Sequence, residues 1–394
     1  RIVLVDVGRE TDLSRVAGVL GGQQPEVAIR ERMSFPRLRP LPRNKQLDRP
    51  LGVGAVLFTG GTGGVGGLLA LHAVERLGVS SVVLASRSGS RAAHCAELVR
   101  KLESLGARVQ VVRCDVAHRE QVMRLVEGIQ DLSAVVHCAG DSANGLVADL
   151  GIADIGAAWQ AKADGAWWLH EATFGKDLEA FVLVSSAGGQ LLPAGQGAYA
   201  AANTWLDILA SYRQKMGLPG IAIAYGLWDV PTGLSSRLTE QDKKRIAHKG
   251  FPALSLDEVL AMTDVALASG EAMVTVARLD RSRLHGLDVP ALVRDSVTGR
   301  LSVDENSQAL QLGEWDALDL VRRTVAEVLG HPAEVLDMDL GALEQGIDSL
   351  GAVDIRNRLR ERSGVDLSPT IAFDAGSLRE IAELLEAGRL TNDG

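Results

Sequence analysis

Aromatic residues are scarce in this chain: Phe, Trp and Tyr make up 4% of its 394 residues, and only three residues are cysteine. Cys95, Cys114 and Cys138 are odd in number, scattered and without metal-ligand spacing. That excludes a disulfide framework and a cysteine metal site, and free thiols in a reducing cytoplasm are expected. No apolar run reaches the ~18 residues of a membrane-spanning helix, and no signal-peptide pattern is present, so no membrane association is expected. Basic stripes with interleaved stacking aromatics are missing too, which argues against nucleic acid as a partner. What the chain has in quantity is glycine, 43 residues, most of them in turns inside apolar segments, where they read as backbone requirements. With 46% hydrophobic and 23% charged residues, a sizeable core can be buried and a disordered chain is excluded.

The length allows about two or three domains at roughly 150 residues each. Residues 313–388 carry 16 acidic and seven basic side chains, which accounts for the whole formal charge of −9. A neutral larger part and an acidic smaller part are expected to meet different partners. The opening Arg1-Ile-Val-Leu-Val-Asp-Val7 reads as a buried strand without an initiator methionine, hence as a piece of a longer polypeptide. Glu26–Arg30 is strand-like, and Phe35-Pro-Arg-Leu-Arg-Pro-Leu-Pro42 reads as an exposed connector.

From Ala55 onward an apolar run, a glycine turn and a helical pattern repeat. Strands are expected at 55–59, 81–85, 108–114, 134–138, 180–185, 220–225 and 272–277, with helices such as 65–77, 92–105 and 119–127 between them. Near-continuous apolar strands alternating with helices predict an α/β fold whose parallel sheet is covered on both faces. Residues 285–312 are polar and aperiodic, a linker. Helical patterns at 315–329, 349–362 and 378–385 then define a small all-α domain over 313–390.

Val56-Leu-Phe-Thr59-Gly60-Gly-Thr62-Gly-Gly64-Val65-Gly66 runs from a strand through glycines into a helix. Gly60, Gly64 and Gly66 permit a tight turn and the approach of a pyrophosphate to helix-terminal N–H groups. Glycines also serve plain turns, but the strand before, the helix after and the βαβ continuation point to a dinucleotide site. An NAD-selective site places Asp or Glu about 20 residues on; here Ser86-Arg87 stands there, 21 positions after Gly66. A guanidinium favours a 2′-phosphate, so NADPH is expected over NADH, the plain alternative being a surface arginine. Asp115-Val116 closes the third strand, where the acid could accept from an adenine amino group or cap a helix.

Thr59-Gly60…Gly64-Val65-Gly66, Cys114-Asp115-Val116, His137-Cys-Ala139-Gly140, Ser185-Ser186 and Tyr199-Ala-Ala-Ala-Asn203 together resemble the short-chain dehydrogenase/reductase superfamily over about Gly54 to Leu279. Most members carry Tyr-x-x-x-Lys, whereas Asn203 stands four after Tyr199 and a lysine lies upstream at Lys162. That exchange, with Gly195-Gln-Gly-Ala-Tyr199…Leu-Asp207 and Ala224-Tyr-Gly-Leu-Trp228, resembles the ketoreductase domains of modular polyketide synthases and related fatty-acid synthases. The resemblance implies a Rossmann-type doubly wound sheet spanning 51–284. Its cofactor site would draw on Thr59, Gly60, Thr62, Gly64, Val65 and Gly66, on Ser86 and Arg87, on Asp115 and Val116, and on Ala139 and Gly140. Lys162 and Tyr199 complete that site.

Ketone reduction leaves an alkoxide that needs a proton, and a phenol with pKa ~10 is a poor acid unless something stabilises its phenolate. Lys162 can supply a cation and hold the nicotinamide ribose, and Ser186 can donate to the carbonyl oxygen. Asn203, one helical turn beyond Tyr199, can order a relay water. Singly, each has a plain explanation: a tyrosine packing on a small-residue helix, a solvated lysine, a serine capping a helix. Jointly, at family-like spacing, they do not.

Some marks depart from the family. Reductases of one hydroxyl configuration carry Leu-Asp-Asp where this chain has Ser142-Ala-Asn144, and those of the other often carry Trp where this chain has Leu191. Lacking Leu-Asp-Asp leans toward the L-hydroxyl product. Tyr225 stands where the family commonly has Trp, and Asp229–Gly250 resembles a substrate lid or, more plainly, a surface helix. Residues 1–50 resemble the end of the non-catalytic structural half of such reductases, so the opening strand is expected to lack partners and to be poorly ordered.

Gly346-Ile-Asp-Ser349-Leu350 with its following helix resembles the attachment motif of an acyl carrier protein, a four-helix domain. The resemblance implies 4′-phosphopantetheine on Ser349, at a helix start where a phosphate ester is favoured. An ordinary N-cap is the plain alternative. The four arginines at 356, 358, 360 and 362 dilute the acidic character expected to steer docking. The expected activity is NADPH-dependent reduction of a carrier-bound β-ketoacyl thioester. Other synthase domains (ketosynthase, acyltransferase) and a phosphopantetheinyl transferase are the expected partners. Rival readings are a redox-silent scaffold or α-carbon epimerase, a carrier-centred binding module, and a free dehydrogenase of small alcohols.

Overall fold

The computed structural model describes residues 4–7, 26–29, 33–41, 50–141, 150–191, 196–230, 243–244, 246–247, 249–284, 289–294, 316–329, 333–347, 349–368 and 370–392. The chain forms two compact units. One comprises Pro40–Lys243 and Phe251–Asp280; the other comprises Arg1–Arg39, Lys244–Gly250 and Arg281–Gly394. The second unit begins with a three-stranded sheet of Leu4–Val7 (β1), Glu26–Ile29 (β2) and Met33–Ser34 (β3). The opening strand therefore has a partner: β1 pairs in parallel with β2, which turns back onto β3.

The first unit is built on Ala55–Thr59 (β4), Ser81–Ser86 (β5), Arg108–Arg113 (β6), Leu132–His137 (β7), Ala180–Ser186 (β8), Ile221–Tyr225 (β9) and Met273–Val276 (β10). All seven pair in parallel in the order β10-β9-β8-β7-β4-β5-β6. Each lies within two residues of where the apolar runs put it. Side chains alternate between two cores, one on each face. Val56, Phe58, Val82 and Leu84 point to one, and Ala55, Leu57, Val83 and Ala85 to the other. Both faces need cover, so these strands read as unbroken apolar runs.

Helices supply that cover. Gly64–Arg76 (α1) and Cys95–Ser104 (α2) lie on the first face. Arg119–Glu127 (α3) lies on the second. Ile152–Trp159 (α4), a π-helical turn at Gln160–Asp164 and Gly165–Ala172 (α5) run on as one interrupted helix. The short Gly188–Leu191 (α6) leads to Gly197–Lys215 (α7), which packs Leu206, Leu209 and Ala210 into the second core. Leu256–Leu267 (α8) starts at a capping box, Ser255 Oγ accepting from the Glu258 N–H. Each fully buried Leu or Phe in these cores contributes roughly 1.5–3 kcal/mol against an exposed reference. β4 and β7 are neighbours at the point where strand order reverses, and the crevice beyond their carboxyl ends is where such folds bind ligands.

The helical part of the second unit holds Ala317–Leu329 (α9), Ser349–Ser363 (α10), Ile371–Asp374 (α11) and Leu378–Asn392 (α12). Its own core gathers Val321, Val325, Ile355, Leu359, Ile381 and Leu385. The last helix outruns its apolar pattern by seven residues, through Gly388, which sits against Val365 where a Cβ would clash. Residues 142–144, Gly195, most of the lid-like stretch 229–250 and most of the linker 285–312 lie outside the described residues. No described helix is long and apolar enough to cross a membrane.

Candidate active site

The glycine loop closes against the turn after β7. Gly60 has φ +66°, and a Cβ there would stand 2.8 Å from the Ala139 nitrogen. Gly66 is needed for the next turn of the loop, because its Cβ would lie 2.5 Å from the Gly60 carbonyl oxygen. Gly60 and Ala139 thus meet at the crevice, as the motifs require. Helix α1 begins with no side-chain cap and no acid in its first turn, leaving its positive end for an anionic pyrophosphate. The residues present fit a dinucleotide. Thr59 itself faces inward: it is buried, and its hydroxyl lies 2.7 Å from His137 Nδ1.

At the end of β5, Thr62 Oγ1 donates to Ser86 Oγ at 2.7 Å, and the same oxygen accepts the Gly89 N–H at 3.0 Å. Arg87 beside them keeps a largely exposed side chain, 3.8 Å from the Asp141 carboxylate. A guanidinium held loosely at that strand end can turn to a ribose phosphate. Asp115 commits one carboxylate oxygen to the Ala117 N–H at 3.1 Å, a local turn bond, and leaves the other facing His118 at 3.9 Å. Val116 is a packing residue: a Cβ on Gly165 would stand 2.9 Å from it.

Four side chains converge beyond β8. Lys162, 4% exposed, donates from Nζ to the Val184 carbonyl at 2.9 Å and lies 5.6 Å from the Tyr199 ring centre. Its stem passes over Gly140, where a Cβ would be 2.9 Å from Lys162 Cε. Burial drags the lysine pKa down to about 8, with Cys138 and Asp207 pulling the other way. Burial raises the Tyr199 pKa, and the Ser186 and Asn203 side chains beside the phenol oppose that rise. The desolvation of Tyr199 therefore outweighs the stabilisation its neighbours provide. Asn203 Nδ2 donates to the Tyr199 carbonyl at 2.7 Å, while its Oδ1 is buried with no hydrogen-bond partner among the described residues, an acceptor available to a water.

Two neighbours of these side chains were quoted in the sequence only as parts of motifs, with no role assigned. Asp207 follows Asn203 by one more turn of α7, is buried, and accepts from Gln190 Nε2 at 2.9 Å. Burial raises its pKa; Gln190, Ser185 and Lys162 oppose the rise. The i, i+4, i+8 spacing from Tyr199 was the signal that could have found it. His137, quoted only as part of a motif, bridges Thr59 and the backbone of Lys162. Tyr225, by contrast, belongs to the core, its hydroxyl 2.8 Å from Thr263 Oγ1.

In the helical part, Ser349 opens α10. The arginines of α10 are occupied within that domain: Arg358 and Arg362 reach Glu327 at 3.0 and 2.7 Å, and Arg356 and Arg360 approach Asp366 at 3.8 and 3.4 Å. They neutralise local acids, so less basic charge faces a partner than the sequence suggests.

Residues 54–230 match the family model of the KR domain, and residues 319–385 that of the phosphopantetheine attachment site. The ketoreductase from the first module of phoslactomycin biosynthesis in a Streptomyces species superposes with a TM-score of 0.63 at 31% identity, over 73% of this chain and 69% of that one. The chain belongs to the polyketide synthase ketoreductases, with a carrier domain attached. Polyketide synthase GfsA of Streptomyces halstedii is 39% identical over 95% of this chain. Mycoketide-CoA synthase of Mycobacterium tuberculosis is 39% identical over 84% of it. The chain spans only 5% and 9% of those two proteins. The glycine loop, Lys162, Ser186, Tyr199 and Asn203 all fall inside the ketoreductase match, and Ser349 inside the carrier match.

Proposed function

We propose that this chain reduces the β-ketone of an acyl thioester to a β-hydroxyl, using NADPH, with the acyl chain tethered through 4′-phosphopantetheine on Ser349. The observation that carries the proposal is the convergence of Tyr199, Ser186, Asn203 and Lys162 beside a glycine loop fit for a dinucleotide. Bound there, NADPH would supply the hydride. Gly60, Gly64, Val65 and Gly66 would hold its pyrophosphate, Thr62, Ser86 and Arg87 its ribose phosphate, and Asp115, Val116, Ala139 and Gly140 its adenosine and central portion.

Ser186 donates a hydrogen bond to the ketone oxygen and polarises it. Tyr199 gives the proton that the forming alkoxide takes. Its raised pKa keeps the phenol protonated at neutral pH, and the resulting phenolate is stabilised by the groups that oppose that rise. Lys162 holds the nicotinamide ribose and is cationic only below about pH 8. Asn203 places an acceptor where a relay water can return a proton to Tyr199. The carrier assignment rests on Ser349 at the start of α10, where the positive end of the helix favours a phosphate ester. We assign residues 1–50 to the structural subdomain, 51–284 to the reductase, 285–312 to the linker and 313–390 to the carrier. Other synthase domains and a phosphopantetheinyl transferase follow as partners, and three unpaired cysteines suit a cytoplasmic setting.

The test is product analysis. The chain is incubated with NADPH and a racemic 2-methyl-3-oxopentanoyl N-acetylcysteamine thioester, and the products are resolved on a chiral column. Formation of one 3-hydroxy isomer, the L-product, is expected. Binding of NADPH without net reduction, with the C2 proton exchanging for solvent deuterium faster than in the absence of the chain, would replace the reductase reading by the epimerase one.

A further inference from the structure

Lys162 sits in an unusual piece of backbone. The π-helical turn Gln160–Asp164 interrupts the helix between α4 and α5, with the Gly165 N–H reaching the Gln160 carbonyl five residues back. Such single turns are rare and recur at functional sites. Here a side chain from another element supports the turn. His137 Nε2, at the end of β7, lies 3.0 Å from the Lys162 carbonyl oxygen, and His137 Nδ1 lies 2.7 Å from Thr59 Oγ1. His137 and Thr59 are fully buried.

These contacts fix the ring's tautomer. A carbonyl only accepts, so Nε2 carries the proton, and Nδ1 must accept from the Thr59 hydroxyl. Burial, reinforced by the Lys162 charge, pushes the His137 pKa down to about 3, so the ring stays neutral through any working pH. Thr59 ends β4 and adjoins Gly60, the residue on which the loop pivots. One imidazole thus joins the base of the nucleotide loop to the root of the catalytic lysine. Lys162 is then held at three places: its carbonyl by His137, its stem against Gly140, its ammonium by the Val184 carbonyl.

The geometry points to His137 as the positioning residue that sets Lys162 in register with the nucleotide loop through Thr59. This rests on the role proposed for Lys162 and adds a part to it. His137 touches neither substrate nor cofactor; it acts through the backbone of the turn. The competing explanation is a satisfied core histidine, whose loss would cost stability alone.

The experiment compares His137→Leu, which removes both hydrogen bonds, with His137→Gln, which keeps a donor and an acceptor, in the full chain. Val82→Ala, a buried change in β5, controls for lost stability. Two quantities are followed from pH 6 to pH 10. The first is kcat for NADPH-dependent reduction of the same thioester. The second is the rate at which acetic anhydride acylates Lys162, read by peptide mass spectrometry.

His137→Leu should lower kcat roughly 30- to 100-fold, the scale on which small misplacements act. It should also move the alkaline limb of the kcat profile and speed Lys162 acylation about tenfold, as a lysine that has lost one of its three anchors opens to solvent more often. His137→Gln should recover most of the rate and slow acylation again. If His137→Leu matches Val82→Ala in both the pH profile and the acylation rate, the positioning role is refuted. Acylation needs no turnover, so an inactive wild-type chain would refute the proposed function while leaving this inference to be decided by the labelling. Should His137→Leu fail to fold, Thr59→Val removes the donor to Nδ1 at nearly constant volume. Acylation faster than in Val82→Ala would then support the inference, and an equal rate would overturn it.

Discussion

Replacing Lys162 by methionine should stabilise the fold while destroying the activity, and the size of the gain follows from burial. The ammonium is 4% exposed, and its pKa falls from the usual 10.5 to about 8. At about 1.4 kcal/mol per pKa unit, keeping the charge buried costs about 3 kcal/mol at pH 7. Methionine removes that cost but strands the Val184 carbonyl, a loss of about 1–3 kcal/mol. The net at neutral pH is therefore small, between no change and about 2 kcal/mol of stabilisation. The pH dependence discriminates better. The folded chain releases the lysine proton near pH 8 and the unfolded chain near 10.5, so the unfolded state binds more protons between those values. Wild-type stability should thus gain about 3 kcal/mol relative to Lys162→Met as pH rises from 8 to 10.5. Urea unfolding followed by tryptophan fluorescence measures it, since five of the six tryptophans (159, 167, 168, 205 and 228) lie in the reductase unit. Parallel stability curves for the two proteins would mean Lys162 is solvated, and the argument would fail.

Gly60→Ala should weaken NADPH binding at least tenfold in a fluorescence titration, because the added Cβ meets the Ala139 nitrogen at 2.8 Å in a left-handed conformation. Arg87→Ala should raise KM for NADPH roughly tenfold while barely changing KM for NADH, a loss on the scale of one charge-assisted bond. Equal effects on both would place 2′-phosphate recognition elsewhere. Ser349→Ala should block the mass gain from coenzyme A and a phosphopantetheinyl transferase, seen by intact mass spectrometry, and spare reduction of a soluble thioester. Turnover should fall above about pH 8 as Lys162 loses its proton; a rate still rising at pH 9.5 would remove the ammonium from the mechanism.

The strands were the most legible part of the molecule. Val56-Leu-Phe58 and Val82-Val-Leu84 face a core on each side, and continuous apolar runs leave little freedom for any other reading. The proposed catalytic residues were nameable for a different reason: Tyr199 and Asn203 share one helix face, Ser186 ends a strand, and the resemblance to the ketoreductase pattern singled them out together. The π turn around Lys162 was not readable. Gln160-Ala-Lys-Ala-Asp164 suits an ordinary helix, and the contact of the turn with His137, 25 positions upstream of Lys162 in a strand, exists only in the tertiary structure. The inward-facing Thr59 hydroxyl escaped notice for the same reason. Arg356, Arg358, Arg360 and Arg362 read as a basic face because their acidic partners Glu327 and Asp366 are distant in sequence or lie past the helix end.

The most direct test of the account replaces one oxygen atom. Tyr199→Phe keeps the ring and its packing but removes the proton donor, and NADPH oxidation with the β-ketoacyl thioester is followed beside NADPH binding. The account predicts turnover reduced by at least about a thousandfold with the dissociation constant for NADPH within a few-fold of wild type. Turnover within tenfold of wild type would contradict it, because some other group would then be protonating the alkoxide.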